Sequence, residues 1–452
     1  MASWCCVPSR ALVAMMVFWG TFVNYMFRSH YSISLLAMMQ ARKVNETLGD
    51  FGPRYNWTYE WEQRTISAMF YGLSALSLPS GMISEMLGPW QVLMWSSIVM
   101  AVSSCLIVPA APIGPFWVFV LRFVVGLMLA LQYPALQCLI GRWAPPSEKG
   151  RFSACLMGNA FGSMLTMPVT SMIIEKFGWN WSFYSLSFVV ALFCTGLILF
   201  VADYPRDYRW IAKDELQYIE KSQGKQVSRE KVTPPYRAMF ASVPFIALII
   251  AQFGNLYGLT MSLTATPQFL KRVLNFNLKG SAFIAALPQL SRLICGFIFG
   301  YINDLLLRSG VKKQTCRKGF TILSHIATGL CLCCFLFIGQ SSDMAIILLV
   351  AMLGFNGAAA ETTLINPQDL SPNFAGTIHG IMNFFAGWGG FIGPMLIEKL
   401  TRDNTMDQWA IVFTIGGLIY IVSGIVFMCF GSADLQPWND KSKSSLPPPV
   451  AV

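Results

Sequence analysis

Long apolar stretches separated by short polar segments follow one another along the whole chain. Each stretch is about 20 residues long, which is the length that an α-helix needs to cross a bilayer. The stretches are continuous rather than alternating, so the pattern predicts membrane helices and argues against a β-barrel. We predict twelve spans, at about residues 11–39, 64–87, 91–111, 116–141, 151–174, 182–202, 241–270, 280–303, 319–339, 344–368, 376–397 and 409–430.

The longest polar stretch between spans, at 203–237, separates six spans from six. It carries charges of both signs and includes an amphipathic segment near 212–222 that predicts a short helix. The order of parts predicted from this pattern is an N-terminal six-helix bundle at 1–202, a cytoplasmic linker at 203–240, a C-terminal six-helix bundle at 241–430 and a cytoplasmic tail at 431–452.

Two motifs occur once in each half at nearly the same spacing. A glycine motif with an acidic residue follows the second span at 81–88 and the eighth span at 300–308, 219 residues later. Glycine-rich segments in the fifth span (158–168) and the eleventh span (382–394) are 224 to 226 residues apart. Any one glycine also fits ordinary helix packing. Two pairs at one offset indicate duplicated halves, as in secondary transporters with a binding site near the midplane.

Composition and charge agree with a membrane protein. Only 12% of the residues are charged, against about 25% in soluble domains. Most of the 32 Lys and Arg residues fall on the side of the linker, which predicts that both termini are cytoplasmic. This bias accounts for the net charge of +10, so we expect no nucleic-acid partner. The segment 40–63 is then external, and its sequons at Asn45 and Asn56 predict glycosylation.

The sequence lacks the motifs of several other functional classes. The sequence has no metal-ligand spacing, no phosphate-binding P-loop and no nucleophile motif. We therefore expect no metal, no cofactor and no enzymatic activity, with sodium or a proton as conceivable co-transported cations. No acidic dileucine sorting signal is evident, so we expect the plasma membrane rather than a lysosomal or vesicular membrane. We also expect a monomer.

Two arginines inside apolar spans are the strongest indication of function. Arg28 lies in the first span and Arg122 in the fourth. A guanidinium at membrane depth costs about 2.5–3.5 kcal/mol by insertion scales and does not lose its proton, so it needs an anionic partner. That partner is either a carboxylate of a neighbouring helix or an anionic cargo. Arg292 in the eighth span is a weaker candidate, which we expect to pair with an acid or to reach towards the membrane surface.

Short motifs in a fixed order extend this interpretation. They are Asn24-Tyr25…Arg28, Arg122-Phe123…Gly126-Leu127, Trp143-Ala-Pro-Pro-Ser-Glu148, Asn366…Asp369…Pro372 and Gln436-Pro437-Trp438. With these motifs the chain resembles the major facilitator superfamily and, within it, the anion:cation symporters, which include sialin, the type I sodium–phosphate cotransporters and the vesicular glutamate transporters. The sialin and phosphate-transporter branch is the more similar one.

The resemblance implies an all-α membrane protein with twelve transmembrane helices in two pseudosymmetric bundles. It also implies anion transport driven by protons, sodium or membrane voltage, with Arg28 and Arg122 facing the cargo. Many relatives carry two glutamates in the fourth helix that are associated with proton coupling, whereas this chain has Val125 and Leu129. The residues that would inherit that coupling are therefore absent.

Glu361 is an acid inside the tenth span, at a position where relatives usually have a small residue. An acid at membrane depth is a functional candidate by default. We expect Glu361 to neutralise Arg28 or Arg122 when the site is empty and to serve as a replacement coupling carboxylate. His30 is a second titratable candidate, with a structural, hydrogen-bonded role as its alternative.

Further polar residues at membrane depth complete the predicted site. We expect Tyr133, Asn255 and Asn366 to line the substrate path, or alternatively to hold helices together by hydrogen bonds. At the helix ends we expect gating by Glu85, Asp304 and Arg308. The reason is that a carboxylate near a helix N-terminus can hold one conformation.

These features together predict secondary active transport of an organic anion or inorganic phosphate by alternating access. The expected partners are a small anionic substrate and the lipid bilayer. One alternative is a carrier of a neutral or cationic solute in which both arginines are locked in ion pairs. Another is a membrane sensor that keeps the scaffold and does not transport.

Overall fold

The computed structural model describes residues 8–39, 52–145, 148, 152, 155–223, 234–339 and 341–439. Within these ranges the chain is helical, without strands. The helices are α1 (Ser9–Met38), α2 (Tyr59–Leu87), α3 (Pro89–Ala110), α4 (Pro115–Trp143), α5 (Gly158–Phe177), α6 (Trp179–Phe200), α7 (Lys213–Gln223), α8 (Tyr236–Phe240), α9 (Val243–Arg272), α10 (Leu278–Arg308), α11 (Lys313–Thr321), α12 (Thr328–Cys333), α13 (Ser342–Asn356), α14 (Asn366–Leu370), α15 (Ala375–Leu400) and α16 (Met406–Phe430). A π-helical segment, Ile322–Ala327, joins α11 to α12, and a 3₁₀ segment, Gly357–Glu361, extends α13.

Eleven helical segments of the described ranges are long and apolar enough to cross a membrane. They match eleven of the predicted spans, with α11 and α12 forming one (Lys313–Phe337) and α13 and α14 another (Ser342–Leu370). The predicted fifth span is α5, a 20-residue helix whose glycine, serine and threonine residues make it too polar to count with them. Since α5 packs between α1 and α10, protein covers its polar face. A helix is therefore present at every predicted span.

The two halves of the chain meet along a seam formed by two pairs of helices, α2 with α15 and α5 with α10. These helices hold the spans that the repeated glycine motifs singled out in the sequence. Gly81 of α2 shows why glycine is needed there: a Cβ at this position would lie 2.5 Å from the Cα of Thr377 on α15. The missing side chain lets the two helix backbones touch.

Side chains join the halves at both ends of the seam. We call the end beside Asn56 the sequon end and the end beside α7 the linker end. At the sequon end, Nη2 of Arg272 lies 2.7 and 2.8 Å from the two carboxylate oxygens of Glu62. At the linker end, Gln368 of α14 donates a 3.0 Å hydrogen bond to Gln137 of α4.

The linker helix α7 is the amphipathic helix that the sequence predicts, and it is attached to the N-terminal half. Glu215 accepts hydrogen bonds from the backbone N–H groups of Ser9 and Arg10, each at 3.0 Å. These donors belong to the first turn of α1 and have no partner within that helix, so the carboxylate caps α1 and complements its dipole. Arg10 also forms an ion pair with Glu148 at 3.0 Å.

The two predicted glycosylation sites are Asn45 and Asn56. Asn45 lies outside the described residues. Asn56 is exposed at the sequon end, two residues before Thr58, whose side chain accepts a hydrogen bond from the backbone N–H of Trp61 and caps α2. Glycosylation at Asn56 stays a prediction, and it is compatible with this exposure.

Candidate functional site

Arg28 is buried among neutral groups of the N-terminal half, with 6% of its surface exposed. Its Nε donates to the side-chain oxygen of Asn24 at 3.1 Å, and its guanidinium carbon lies 4.9 Å from the centre of the Tyr25 ring. Asn24 in turn donates to Gln132 of α4 at 3.2 Å. Residues four apart share one face of a helix, so Asn24 positions the guanidinium without neutralising it.

Arg122 is buried on α4 and faces the same helix, α1, with 4% of its surface exposed. Its guanidinium carbon lies 4.1 Å from the centre of the Tyr31 ring, and its Nη1 donates to the backbone oxygen of Phe27 at 3.4 Å. Its Nε has no hydrogen-bond partner among the described residues. A ring face attracts a cation by about 0.5–2 kcal/mol, which offsets part of the burial cost and leaves the net charge in place.

Neither guanidinium has an acidic partner in the described part of the chain, where all ion pairs within 4.0 Å involve other residues. The expected pairing of Glu361 with Arg28 or Arg122 is therefore wrong for this conformation. The reason is the position of Glu361 in the fold. It ends the 3₁₀ segment after α13 and lies beside the first turns of α11, where a different arginine pairs with it.

That arginine is Arg317, which holds two carboxylates at the linker end of the C-terminal half. Its Nε donates to Asp369 at 2.8 Å, and its Nη1 lies 3.7 Å from Oε2 of Glu361 and donates to the backbone oxygen of Glu361 at 3.0 Å. Asn303 of α10 donates to the same Oε2 at 2.6 Å. Arg317 lies two residues before the predicted ninth span, so its sequence position did not indicate this buried cluster. Lys313, one helical turn earlier, lies 3.9 Å from Asp369.

Arg292 neither reaches the surface nor pairs with an acid, contrary to expectation. It is 0% exposed on α10 and makes two hydrogen bonds to neutral amides on different sides of the seam. Its Nη1 donates to Asn159 of α5 at 2.9 Å, and its Nε donates to Asn356 of α13 at 3.1 Å. Its Nη2 has no hydrogen-bond partner among the described residues.

The amide network around Arg292 includes two of the predicted site residues. Asn159 donates to the hydroxyl of Tyr133 at 3.1 Å, and the Tyr133 ring lies 6.3 Å from the ring of Tyr25, which underlies Arg28. On the other side, Asn356 donates to Asn255 at 2.9 Å. The structure therefore links Tyr133 and Asn255 to Arg292 through one intervening asparagine each, by contacts that no local sequence pattern indicates.

Two other predicted site residues lie elsewhere. His30 faces α6, where its Nε2 lies 3.0 Å from the hydroxyl of Ser182 and its ring packs against Phe183 at 4.7 Å. Asn366 donates to the backbone oxygen of Ser432, beyond the linker end of α16, at 2.9 Å. Both side chains form contacts between chain segments and no hydrogen bond to Arg28 or Arg122 within the described residues, so their expected roles at the central site stay predictions.

The predicted gating residues also behave differently from one another. Glu85 of α2 accepts a 3.2 Å hydrogen bond from Thr377 in the first turn of α15, so it lies at a helix N-terminus in the opposite half, and its gating role stays a prediction. Asp304 and Arg308 are exposed and form no ion pair within the ranges that the structure describes. The expected gate in the second half is therefore not formed here, and Arg317 with its two acids occupies that end.

Comparisons with known proteins agree with this architecture. The sequence profile described as the Major Facilitator Superfamily matches residues 17–394. Sialin from Homo sapiens is 27% identical over 455 residues, covering 96% of this chain and 91% of sialin. Vesicular glutamate transporter 2 from Homo sapiens is 26% identical over 453 residues, covering 97% of this chain and 77% of that protein.

The fold itself is matched by a solved structure. The proton:xylose symporter XylE superposes with a TM-score of 0.69 at 14% identity, covering 94% of this chain and 97% of XylE. At such low identity the likeness concerns the arrangement of helices and not the cargo.

Proposed function

The chain belongs to the major facilitator superfamily, and from that premise we propose that it is a secondary active transporter of a small organic anion or inorganic phosphate. The observation that carries this proposal is the pair Arg28 and Arg122, both buried at membrane depth and both without a carboxylate among the described residues. A guanidinium there costs about 2.5–3.5 kcal/mol, and neutral amides and rings offset only part of that cost. An anionic cargo supplies the missing charge and accepts the free N–H of Arg122.

Alternating access follows from the seam. The halves touch through glycine at the linker end and are joined by Glu62 with Arg272 at the sequon end. Breaking one set of contacts while keeping the other opens the central arginines to one side at a time. This motion is what a transporter needs and a one-sided receptor does not.

The two alternatives have less support. A carrier of a neutral or cationic solute would require Arg28 and Arg122 to be locked in ion pairs, and the described residues provide none. A non-transporting sensor would not need contacts that close both ends of the seam. The chain is also similar over nearly its whole length to sialin and to a vesicular glutamate transporter.

The test is flux of radiolabelled anions into proteoliposomes that contain the purified protein. Sialic acid, glutamate and inorganic phosphate are the first probes, with sodium, pH and voltage varied separately. We expect accumulation or exchange of at least one anion, lost in Arg122→Gln. Binding without flux would support the sensor, and flux of a neutral or cationic solute alone would overturn the proposed anion cargo.

We further propose that the protein is a monomer in the plasma membrane. In this proposal the linker end and both termini are cytoplasmic, and the linker at 203–240 divides the two six-helix halves. Support comes from the excess of Lys and Arg on the linker side and from exposed Asn56 at the opposite end. Glycosidase treatment of the wild-type protein should reduce its apparent mass, and Asn56→Gln together with Asn45→Gln should remove that change. A glycan that remains in the double variant would contradict the assignment to these sequons.

A further inference from the structure

Arg28, Arg122 and Arg292 lie at different distances from the sequon ends of their helices. Arg122 is seven residues from the start of α4, Arg28 is ten residues from the end of α1, and Arg292 is fourteen residues from the start of α10. All three distances are counted from the sequon end. At the helical rise of 1.5 Å per residue they correspond to about 10, 15 and 21 Å. Arg292 is thus the deepest, close to the middle of its 31-residue helix.

Arg292 lies apart from Arg28 and Arg122 and contacts different residues. The path from Arg28 to Arg292 passes across the Tyr25 ring, the Tyr133 ring and hydroxyl, and the side chain of Asn159. Arg28 and Arg122, in contrast, both contact the same turns of α1. The positive charge is therefore distributed over two places, one beside α1 and one at the seam.

A purely structural role explains the two hydrogen bonds of Arg292 but not its charge. Asn159 and Asn356 are neutral acceptors that a glutamine could also satisfy. A guanidinium in their place leaves a full positive charge and a free Nη2 inside the protein, with no carboxylate within 4.0 Å in the described ranges. Such a group is suited to bind an anion that comes from outside the protein.

We propose that Arg292 binds a second anionic group of the cargo, so that the substrate is an organic dianion with two separated acidic groups, such as a dicarboxylate. This inference rests on the proposed anion transport and deepens it. One acidic group binds at Arg28 and Arg122, and the other binds at Nη2 of Arg292. Because Arg292 bonds to both halves, the second group of the cargo contacts the seam itself.

The first measurement uses the wild-type protein alone. Binding of α,ω-dicarboxylates with three to six carbons is compared in proteoliposomes with binding of the monoamide of each acid at pH 7.5. A monoamide has nearly the same shape and one charge fewer. We expect at least one dicarboxylate to bind tenfold or more tightly than its monoamide. Equal affinities, or a preference for the monoamides, would overturn the inference while leaving anion transport intact.

The second measurement separates the two places of charge with isosteric variants. Asn159→Asp keeps Arg292 and its hydrogen bond but gives it an internal acid, so we expect the preference for the dicarboxylate to fall to about onefold. Asn24→Asp does the same to Arg28 and should weaken the dicarboxylate and the monoamide alike. Arg292→Gln should repeat the Asn159→Asp result. An unchanged preference in Asn159→Asp would show that Arg292 is only a structural contact.

The two proposals fail in different ways. If wild-type protein bound no carboxylate probe and no inorganic phosphate, the proposed anion transport would be overturned and this inference with it. If monoanions bound as well as dianions, only the role of Arg292 would be lost.

Discussion

Arg317 and Arg292 are both buried side chains carried by the C-terminal half, yet their surroundings are opposite. Arg317, at the linker end, contacts the carboxylates of Glu361 and Asp369. Arg292, near the middle of α10, contacts only the amides of Asn159 and Asn356. The first is neutralised by the protein, and the second is not.

This comparison separates two uses of a buried arginine. A buried cation with acids beside it holds helices in place, and removing it leaves those acids without a partner. A buried cation held by amides and rings keeps its charge available, as Arg28 and Arg122 also do. Burial alone therefore does not identify a binding residue, whereas the charge of its partners does.

The largest expected effect is on stability at Arg317. In Arg317→Gln, Glu361 and Asp369 lose their common cation, so we expect the free energy of unfolding to fall by about 3–5 kcal/mol. The measurement is thermal unfolding of the purified protein in detergent. Arg292→Gln is the matched control, since it leaves no acid unpaired, and its loss should be clearly smaller. Equal losses in the two variants would remove the distinction between the two regions.

The next effect is on transport at Arg122. Arg122→Gln should lower anion uptake about 100-fold, equivalent to about 2.7 kcal/mol, while the unfolding temperature stays near that of the wild type. Arg122→Lys should retain more uptake than Arg122→Gln, because lysine keeps the positive charge but cannot form the bidentate hydrogen bonds of a guanidinium. Exposed Arg64, which pairs with Glu60, provides the control: Arg64→Gln should transport normally. A stability loss without a transport loss in Arg122→Gln would make this arginine structural.

A smaller effect concerns the two ends of the seam. Glu62→Gln removes the acid that holds Arg272, so we expect the sequon end to open more often, by about 1–2 kcal/mol in the conformational equilibrium. Gln268, one turn before Arg272 on α9, is buried and accepts a 3.2 Å hydrogen bond from Gln63 of α2. In a Gln268→Cys background, Glu62→Gln should make alkylation of this cysteine by an impermeant reagent added from the sequon side faster. Glu85→Gln, at the linker end, should not accelerate it. Acceleration in both variants would indicate general loosening rather than a gate.

The smallest expected effect is at Glu361. Glu361→Gln retains the bond between Arg317 and Asp369, so we expect only about 1 kcal/mol of stability to be lost. If Glu361 serves as the coupling carboxylate, uptake by this variant should depend less on pH than uptake by the wild type. An unchanged pH dependence would exclude the coupling role and leave Glu361 as a partner of Arg317.

Much of the fold could be predicted because each span is determined by its own residues. The seventh span, for example, was predicted at 241–270 and is Val243–Arg272. The membrane depth of Arg28 and Arg122 could also be predicted from the sequence, since apolar residues flank both. The partners of Arg122 and Arg292 could not be predicted, because they come from other helices: Phe27 is 95 residues from Arg122, and Asn159 is 133 residues from Arg292. No local pattern encodes such contacts.

At Gly81 the backbones of α2 and α15 are in direct contact, with no side chain between Gly81 and Thr377. With no side chain between them, the two helices have a fixed minimum spacing there, and even one added methyl group would push their linker ends apart. A change as modest as Gly81→Ala would then alter which side of the membrane the carrier faces at rest, and inherited variation at this position would change the rate of transport before it changed the amount of protein.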